Sequence, residues 1–190
     1  VAREFNLIAC FMSKPFMGVS ANGCHTNVSL WKGGDLKSTP IGNDPLPGME
    51  QVFTHISGGE NMFMPDPKID AVKPGPVGLQ SIAGLLRHLP ALTCLGSPTV
   101  NSYRRLWDTG FWAPVYADWG YQNRTCSVRV SAPGRVEYRS VDSTHNPYLM
   151  GAGILKAFDD GIDNNYDPGE PEKRNIYDAM KAGKKVEKLP

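Results

Sequence analysis

The strongest local constraint in the chain is a hairpin signal near residue 133. Ser127-Val-Arg-Val-Ser131 alternates apolar with polar, Ala132-Pro-Gly134 supplies a turn, and Arg135-Val-Glu-Tyr-Arg139 alternates again. With a side-chain period of two, Val128, Val130, Val136 and Tyr138 share one face and are expected to be buried. Arg129, Arg135, Glu137 and Arg139 share the other. If Ser131 pairs with Arg135, then Arg129 stands opposite Glu137. A lone cross-strand ion pair is worth roughly 0.2–1 kcal/mol, but three arginines against one carboxylate leave a surplus of positive charge. Arg105 and Arg124, set among the aromatic residues of 97–129, add to it if they converge. Guanidinium groups crowded together repel unless an anion joins them, and their planar forks favour phosphate or carboxylate.

A second candidate region precedes the hairpin. An apolar run, Leu7 to Met12, leads into Lys14-Pro-Phe-Met-Gly18 and the small residues Ser20, Ala21, Asn22 and Gly23, then into His25, Asn27 and Ser29. The layout predicts strand, small-residue loop, strand, with His25, Asn27 and Ser29 on one face of the second strand. Small side chains let backbone N–H groups approach a ligand closely.

Elsewhere the pattern is structural. Seven of the sixteen prolines fall between 31 and 76, so this stretch reads as an insertion with sparse regular structure, apart from a short strand at Gln51–Ile56. Leu79, Ile82, Leu85, Leu86 and Leu89 recur at helical spacing, with Pro76 placed to begin the helix and Pro90 to end or kink it. Asn146 before Pro147 predicts a capped helix, with Leu149, Ile154, Leu155 and Phe158 toward the core and Gly151 and Gly153 allowing close packing. Asp163-x-Asn165-x-Asp167 lacks the glycine and the glutamate of a calcium loop.

At 190 residues the chain suggests one domain. Twenty basic against 19 acidic residues imply no general attraction to nucleic acid or to an anionic membrane. The longest apolar run falls well short of the roughly 18 residues that span a bilayer. The four cysteines are widely spaced, which argues against zinc and a disulfide framework and for a cytoplasmic location.

Several motifs then fall into one order. Phe11-Met-Ser-Lys-Pro-Phe-Met-Gly18 with Asn22-Gly-Cys-His25-x-Asn27-x-Ser29 resembles the ATP-binding signature of the glutamine synthetase family. Ser97-Pro-Thr-Val-Asn-Ser-Tyr-Arg-Arg-Leu106 resembles its glutamate-binding segment. Gly110-Phe-Trp-Ala-Pro-Val115, Asn123-Arg-Thr125 with Arg129, Arg135-Val-Glu-Tyr-Arg139 and Asn146-Pro-Tyr-Leu149 follow in the family's sequence. The resemblance implies an α+β fold, a largely antiparallel sheet flanked by helices, as part of that family's catalytic domain. It implies ATP-dependent ligation of glutamate to ammonia or a small amine through a γ-glutamyl phosphate, with Mg²⁺ or Mn²⁺.

Carried over residue by residue, it implies His25 and Glu137 as metal ligands. Arg105, Ala21 and Arg139 are implied at glutamate, Arg124 and Arg139 as catalytic groups, and Asn27, Ser29, Arg124, Arg129 and Arg135 at the nucleotide. Two departures stand out. Asn27 occupies the family's second-histidine position, and Trp112 replaces the flap glutamate that helps bind ammonium and take its proton. Indole is uncharged and can do neither. As an apolar wall it favours an alkylamine over ammonia, while a shielding role with ammonia retained is the competing reading.

The family also implies a homo-oligomeric ring. It places the remaining metal carboxylates and a small N-terminal domain before residue 1, and helices after residue 190. The 190 residues are therefore expected not to turn over alone. Tyr177 matches a tyrosine adenylylated in some relatives and reads here as a packed side chain. The alternative is a structural or binding relative that has lost catalysis, against which stand His25, Glu137 and the arginines.

Overall fold

The computed structural model describes residues 1–40, 51–65, 68, 72–107 and 112–183, with backbone alone at 36–40 and 51–56. Strands β1 (Thr26–Val28), β6 (Trp119–Tyr121), β7 (Val128–Ala132) and β8 (Arg135–Tyr138) form a sheet in the order β1-β8-β7-β6. Its pairs are antiparallel except for β6–β7, which is parallel. The fold is thus α+β with a mostly antiparallel sheet, as expected. The hairpin register is also as read: Arg129 pairs with Glu137, and a bulge between Val130 and Ala132 absorbs the extra residue at the turn.

Val128, Val130, Val136 and Tyr138 are buried against helices α1 (Pro76–Gly96) and α3 (Pro147–Asp163), with Ile82, Leu85, Leu89, Ile154 and Phe158. The opposite face carries Arg129, Glu137 and Arg139. Helices α2 (Val100–Trp107) and α4 (Ile176–Lys181) flank a second, smaller core of Leu106, Val115, Tyr116, Cys126 and Ile176.

Helix α1 begins at Pro76 behind Gly75, as the sequence predicts, but it runs through Pro90 to Gly96. An internal proline costs about 3 kcal/mol. Packing overrides that cost here, because Leu89 and Leu92 are buried and Leu92 and Leu95 close on Gly153 of α3. Asn146 caps α3, its side-chain oxygen accepting from the N–H groups of Tyr148 and Leu149 at 3.0 and 3.2 Å. The buried stripe of α3 is Met150, Ile154, Ala157, Phe158 and Gly161. Leu149 and Leu155 lie off that stripe and are exposed, contrary to the sequence reading. His88 sits within α1, its Nε2 2.7 Å from Asp160 Oδ2 of α3.

Two further expectations are corrected. The stretch 31–76 is not poor in regular structure. β3 (Asp35–Pro40) pairs with β4 (Gln51–Ser57), and β2 (Trp31–Lys32) with β5 (Glu60–Asn61). The prolines fall at the end of β3 and beyond β5, which leaves the β-branched run 51–57 free to pair; Pro45 and Pro47 lie outside the described residues. Residues 7–12 form no strand: the run has no paired neighbour among the described residues, and Leu7, Ile8, Phe11 and Met12 are exposed. No helix among the described residues is long and apolar enough to cross a membrane.

Candidate functional site

The charged face of the hairpin, the small-residue loop and α2 meet around a cavity of about 390 Å³. Ser20, Ala21, Asn22, Gly23, His25, Arg105, Trp112, Ala113, Arg124 and Arg139 line it. Each wall has a local cause. The loop is held by Asn22, whose N–H donates to the Ser13 carbonyl at 3.0 Å. Its side-chain amide donates to the Met12 carbonyl and its Oδ1 accepts from the Ser143 N–H. Asn101 of α2 exchanges two hydrogen bonds with the Lys14 backbone, at 2.7 and 2.8 Å, docking α2 on the loop. Gly23 leaves room for two site side chains at this contact. A Cβ there would lie 2.8 Å from His25 Nε2 and 3.2 Å from Arg105 Nη2.

Arg139 is the hub. Only 2% exposed, it donates through Nη1 to Glu137 Oε1 at 3.3 Å and to His25 Nδ1 at 3.2 Å. Through Nη2 it holds the carbonyls of Trp112 and Arg124 at 3.3 and 2.9 Å. Glu137, 6% exposed, receives Arg129 Nη1 on Oε2 at 2.8 Å and stands 3.2 Å from His25 Nδ1 through Oε1. Burial alone would raise its pKa, but the Arg129 hydrogen bond and the Arg139 charge outweigh it and hold Glu137 below the usual carboxylate range. His25 is lowered to about 4, by burial first and then by Arg139, so its ring is neutral at physiological pH and carries one acceptor nitrogen. Arg105, 2% exposed, donates to the Arg139 carbonyl at 3.3 Å; burial lowers it to about 10, so it remains a cation.

The hydrogen-bond balance is uneven. Arg105 Nη1, Arg129 Nε and Arg139 Nε are buried without a partner, while both oxygens of Glu137 are engaged. Guanidinium donors buried this way are matched by an anion or they cost stability. The lining itself carries three guanidiniums and no carboxylate.

Of the residues singled out in the sequence, His25, Ala21, Arg105, Trp112, Arg124, Glu137 and Arg139 come together here, with Arg129 behind Glu137. The others gather at the far end of β1. Arg135 is exposed and donates to Ser131 Oγ, Ser131 donates to Asn27, and Ser29 accepts from the Trp31 indole. Trp112 is 54% exposed with φ +65°, and Arg139 grips its backbone carbonyl. Trp112 and Arg124 also line a more open cavity of about 410 Å³ with Gln122, Asn123 and Arg174, so they form the partition between the two. Gly110 and Phe111 of the same motif lie outside the described residues. Tyr177 is packed, its hydroxyl donating to the Ala113 carbonyl at 2.5 Å. Gln122, which accepts from Arg129, was not singled out in the sequence; it belongs to a short polar stretch with no periodic signal of its own.

The chain is similar to known proteins over nearly its whole length. The family described as "Glutamine synthetase, catalytic domain" matches residues 1–66 and 38–190. Glutamine synthetase of Pyrococcus furiosus is 36% identical over 197 residues, covering 100% of this chain and 38% of that protein. The Archaeoglobus fulgidus enzyme is 38% identical over 191 residues, covering 97% and 34%. A solved "GmaS/ADP complex" superposes with TM-score 0.77 at 33% identity over 99% of this chain and 38% of that one. The chain thus spans well under half the length of the relatives it matches. The ordered motifs, the sheet that gathers them and these matches lead to one conclusion: the chain belongs to the glutamine synthetase family, in the region of its catalytic domain.

Proposed function

We propose that this chain supplies the glutamate- and phosphate-facing wall of an ATP-dependent ligase that joins glutamate to a small amine through a γ-glutamyl phosphate. One observation carries the reading: a cavity lined by Arg105, Arg124 and Arg139 has no carboxylate of its own, and the nearest, Glu137, is already taken by two arginines. An anionic occupant would balance it. In this reading Arg105 binds the α-carboxylate of glutamate. Arg139 stands at the γ-carboxyl. Arg124 and Arg129 offset charge as the phosphoryl group moves. The far polar group, Asn27, Ser29 and Arg135, faces the nucleotide. A similar solved chain is described as a GmaS/ADP complex, which supports a nucleotide as substrate.

The donor set also fits a hard cation in a limited way. Neutral His25 and ionised Glu137 offer two donors side by side, and no group of three His, Cys, Asp or Glu occurs among the described residues. Mg²⁺ or Mn²⁺ would therefore complete its shell with phosphate oxygens, water and groups outside these residues, and when bound it would neutralise phosphate charge. The family's length supports the same point, since the matched relatives extend far beyond this region. Four free cysteines fit a cytoplasmic setting, and exposed Phe5, Ile8, Phe11 and Phe16 suit a homo-oligomeric assembly.

Trp112 argues for an alkylamine. Its indole stands at the cavity mouth as a large apolar surface beside Ala113, which suits the carbon side of an amine and offers no base for ammonium. The test is turnover of the full-length protein with glutamate, ATP and Mg²⁺, comparing methylamine with ammonia. A preference of about tenfold or more for methylamine is expected, since one methyl in an apolar pocket is worth roughly 1–3 kcal/mol. A preference for ammonia removes the alkylamine reading, and no ligation of either amine removes the ligase.

A further inference from the structure

The rim of the cavity formed by Trp112 and Ala113 belongs to no helix or strand, so no ladder satisfies its backbone. Polar main-chain groups in such a segment take partners from side chains or water, and Ala113 is only 4% exposed. Two consecutive carbonyls here take side-chain donors. Arg139 Nη2, from the sheet, donates to the Trp112 carbonyl at 3.3 Å. The Tyr177 hydroxyl, from α4, donates to the Ala113 carbonyl at 2.5 Å. Arg139 lines the cavity itself, whereas Tyr177 does not.

The helix that carries Tyr177 is fixed to the same site. Asn175 caps it, its Oδ1 accepting from the Tyr177 N–H at 3.1 Å. Ile176 is buried with Val115 and Tyr116, which follow the rim in sequence. The Ile176 N–H donates to Thr125 Oγ1 at 3.2 Å. The Asn123 amide donates to the Glu172 and Arg174 carbonyls at 3.1 and 2.9 Å. Asn123 and Thr125 flank Arg124, whose own carbonyl Arg139 holds at 2.9 Å. The start of α4, the Arg124 loop and the rim are thus one hydrogen-bonded unit, and the Tyr177 hydroxyl joins the helix to the rim. Burial pushes its pKa up to about 12, so it keeps the proton it donates at any physiological pH.

We propose that Tyr177 is a positioning residue for amine selection: by holding the Ala113 carbonyl it fixes the Trp112–Ala113 rim against which the amine is bound. Tyr177 touches no substrate in this scheme; it acts through the rim. The inference rests on the reading of this rim as the amine side of the cavity.

The decisive variant is Tyr177→Phe in the full-length protein, which keeps the ring and removes only the donor. KM for methylamine is expected to rise about fivefold, because a buried carbonyl loses its partner and the rim loosens. The methylamine-to-ammonia ratio of kcat/KM should fall by a similar factor, while KM for L-glutamate and for ATP each change by less than about twofold. A merely structural role would lower kcat through loss of active protein and leave the amine KM and the ratio where they were. That outcome overturns the inference, as does an equal rise in every KM. Should Tyr177→Phe not fold, Asn175→Ala decides: Asn175 is exposed, and its loss frees the helix end that orients Tyr177 while sparing the hydroxyl. A fall of about twofold or more in the selectivity ratio supports the inference, and an unchanged ratio overturns it. If the wild type ligates neither amine, the ligase reading falls and takes this inference with it. If the wild type prefers ammonia, the alkylamine reading alone falls, and KM for ammonia carries the same test. If the wild type ligates methylamine and the variants match it, only this inference falls.

Discussion

The contact between α1 and α3 and the contact between β7 and β8 are built on opposite terms. At Gly84 and Gly161 the two helices meet backbone to backbone. A Cβ on Gly84 would collide with the Ala157 carbonyl oxygen, and one on Gly161 with that of Gln80. Around this point the layer is apolar and close-packed, so its stability comes from shape and area removed from water. The strands are apolar on one side only. On the other they are joined by Arg129, Glu137 and Arg139, charges withdrawn from solvent and matched one against another. The first contact is made mostly of apolar shape, with the His88–Asp160 pair as its polar link, and the second is held by charge. The molecule keeps its rigidity and its chemistry on two faces of the same sheet.

That contrast can be broken most forcefully at Glu137. Glu137→Gln strips two buried guanidiniums of their counter-charge and should cost about 3–5 kcal/mol in urea denaturation. Added phosphate or ATP should restore part of the loss, and a variant that phosphate leaves untouched would mean the arginines are not an anion site. Gly84→Ala comes next, at about 3 kcal/mol, because the obstructing atoms are backbone and cannot rotate away. Its Tm shift should be the same at pH 6 and pH 8 and insensitive to phosphate.

The smallest effect, about 2 kcal/mol, sharpens the comparison by setting Glu137 beside a carboxylate that lacks a guanidinium. Asp118 accepts from the Ser127 N–H at 3.1 Å, its Oδ2 is buried without a partner, and burial pushes its pKa up to about 7. A raised carboxylate pKa means that the folded state holds a proton the unfolded state has released. Its contribution is therefore present at low pH and is lost as pH rises toward 7. Glu137, held low, behaves in the opposite sense: its contribution is present above the ordinary carboxylate pKa and lost as pH falls. Wild-type stability carries both slopes. Asp118→Asn should remove the loss between about pH 4 and 7 and leave the acid limb intact, which thermal melts from pH 3 to 8 would show. An unchanged pH profile would show that Asp118 does not titrate as its burial requires.

Much of this was legible in the chain. The period-two alternation of 127–139 placed Arg129 against Glu137 before any coordinates, since one register buries the valines and the other exposes them. Asn146-Pro147 announced a helix start because capping is a local interaction between neighbours. Failures came where distant partners decide. Leu7–Met12 read as a strand on composition, but a strand needs a neighbour to accept its hydrogen bonds. Pro90 read as a stop, yet buried leucines carried α1 past it. Leu149 and Leu155 are as apolar as Ile154 and differ only in the direction they face. The burial of Asp142 left no trace in the sequence, for a carboxylate three positions from an arginine declares nothing until the fold closes around it.

Trp112 is tethered through its main chain: Arg139 grasps its carbonyl, while the exposed indole takes no part in that contact. A position fastened in this way can change its side chain without unfastening the segment, so what the rim of the cavity displays and how its wall is held are set by different atoms.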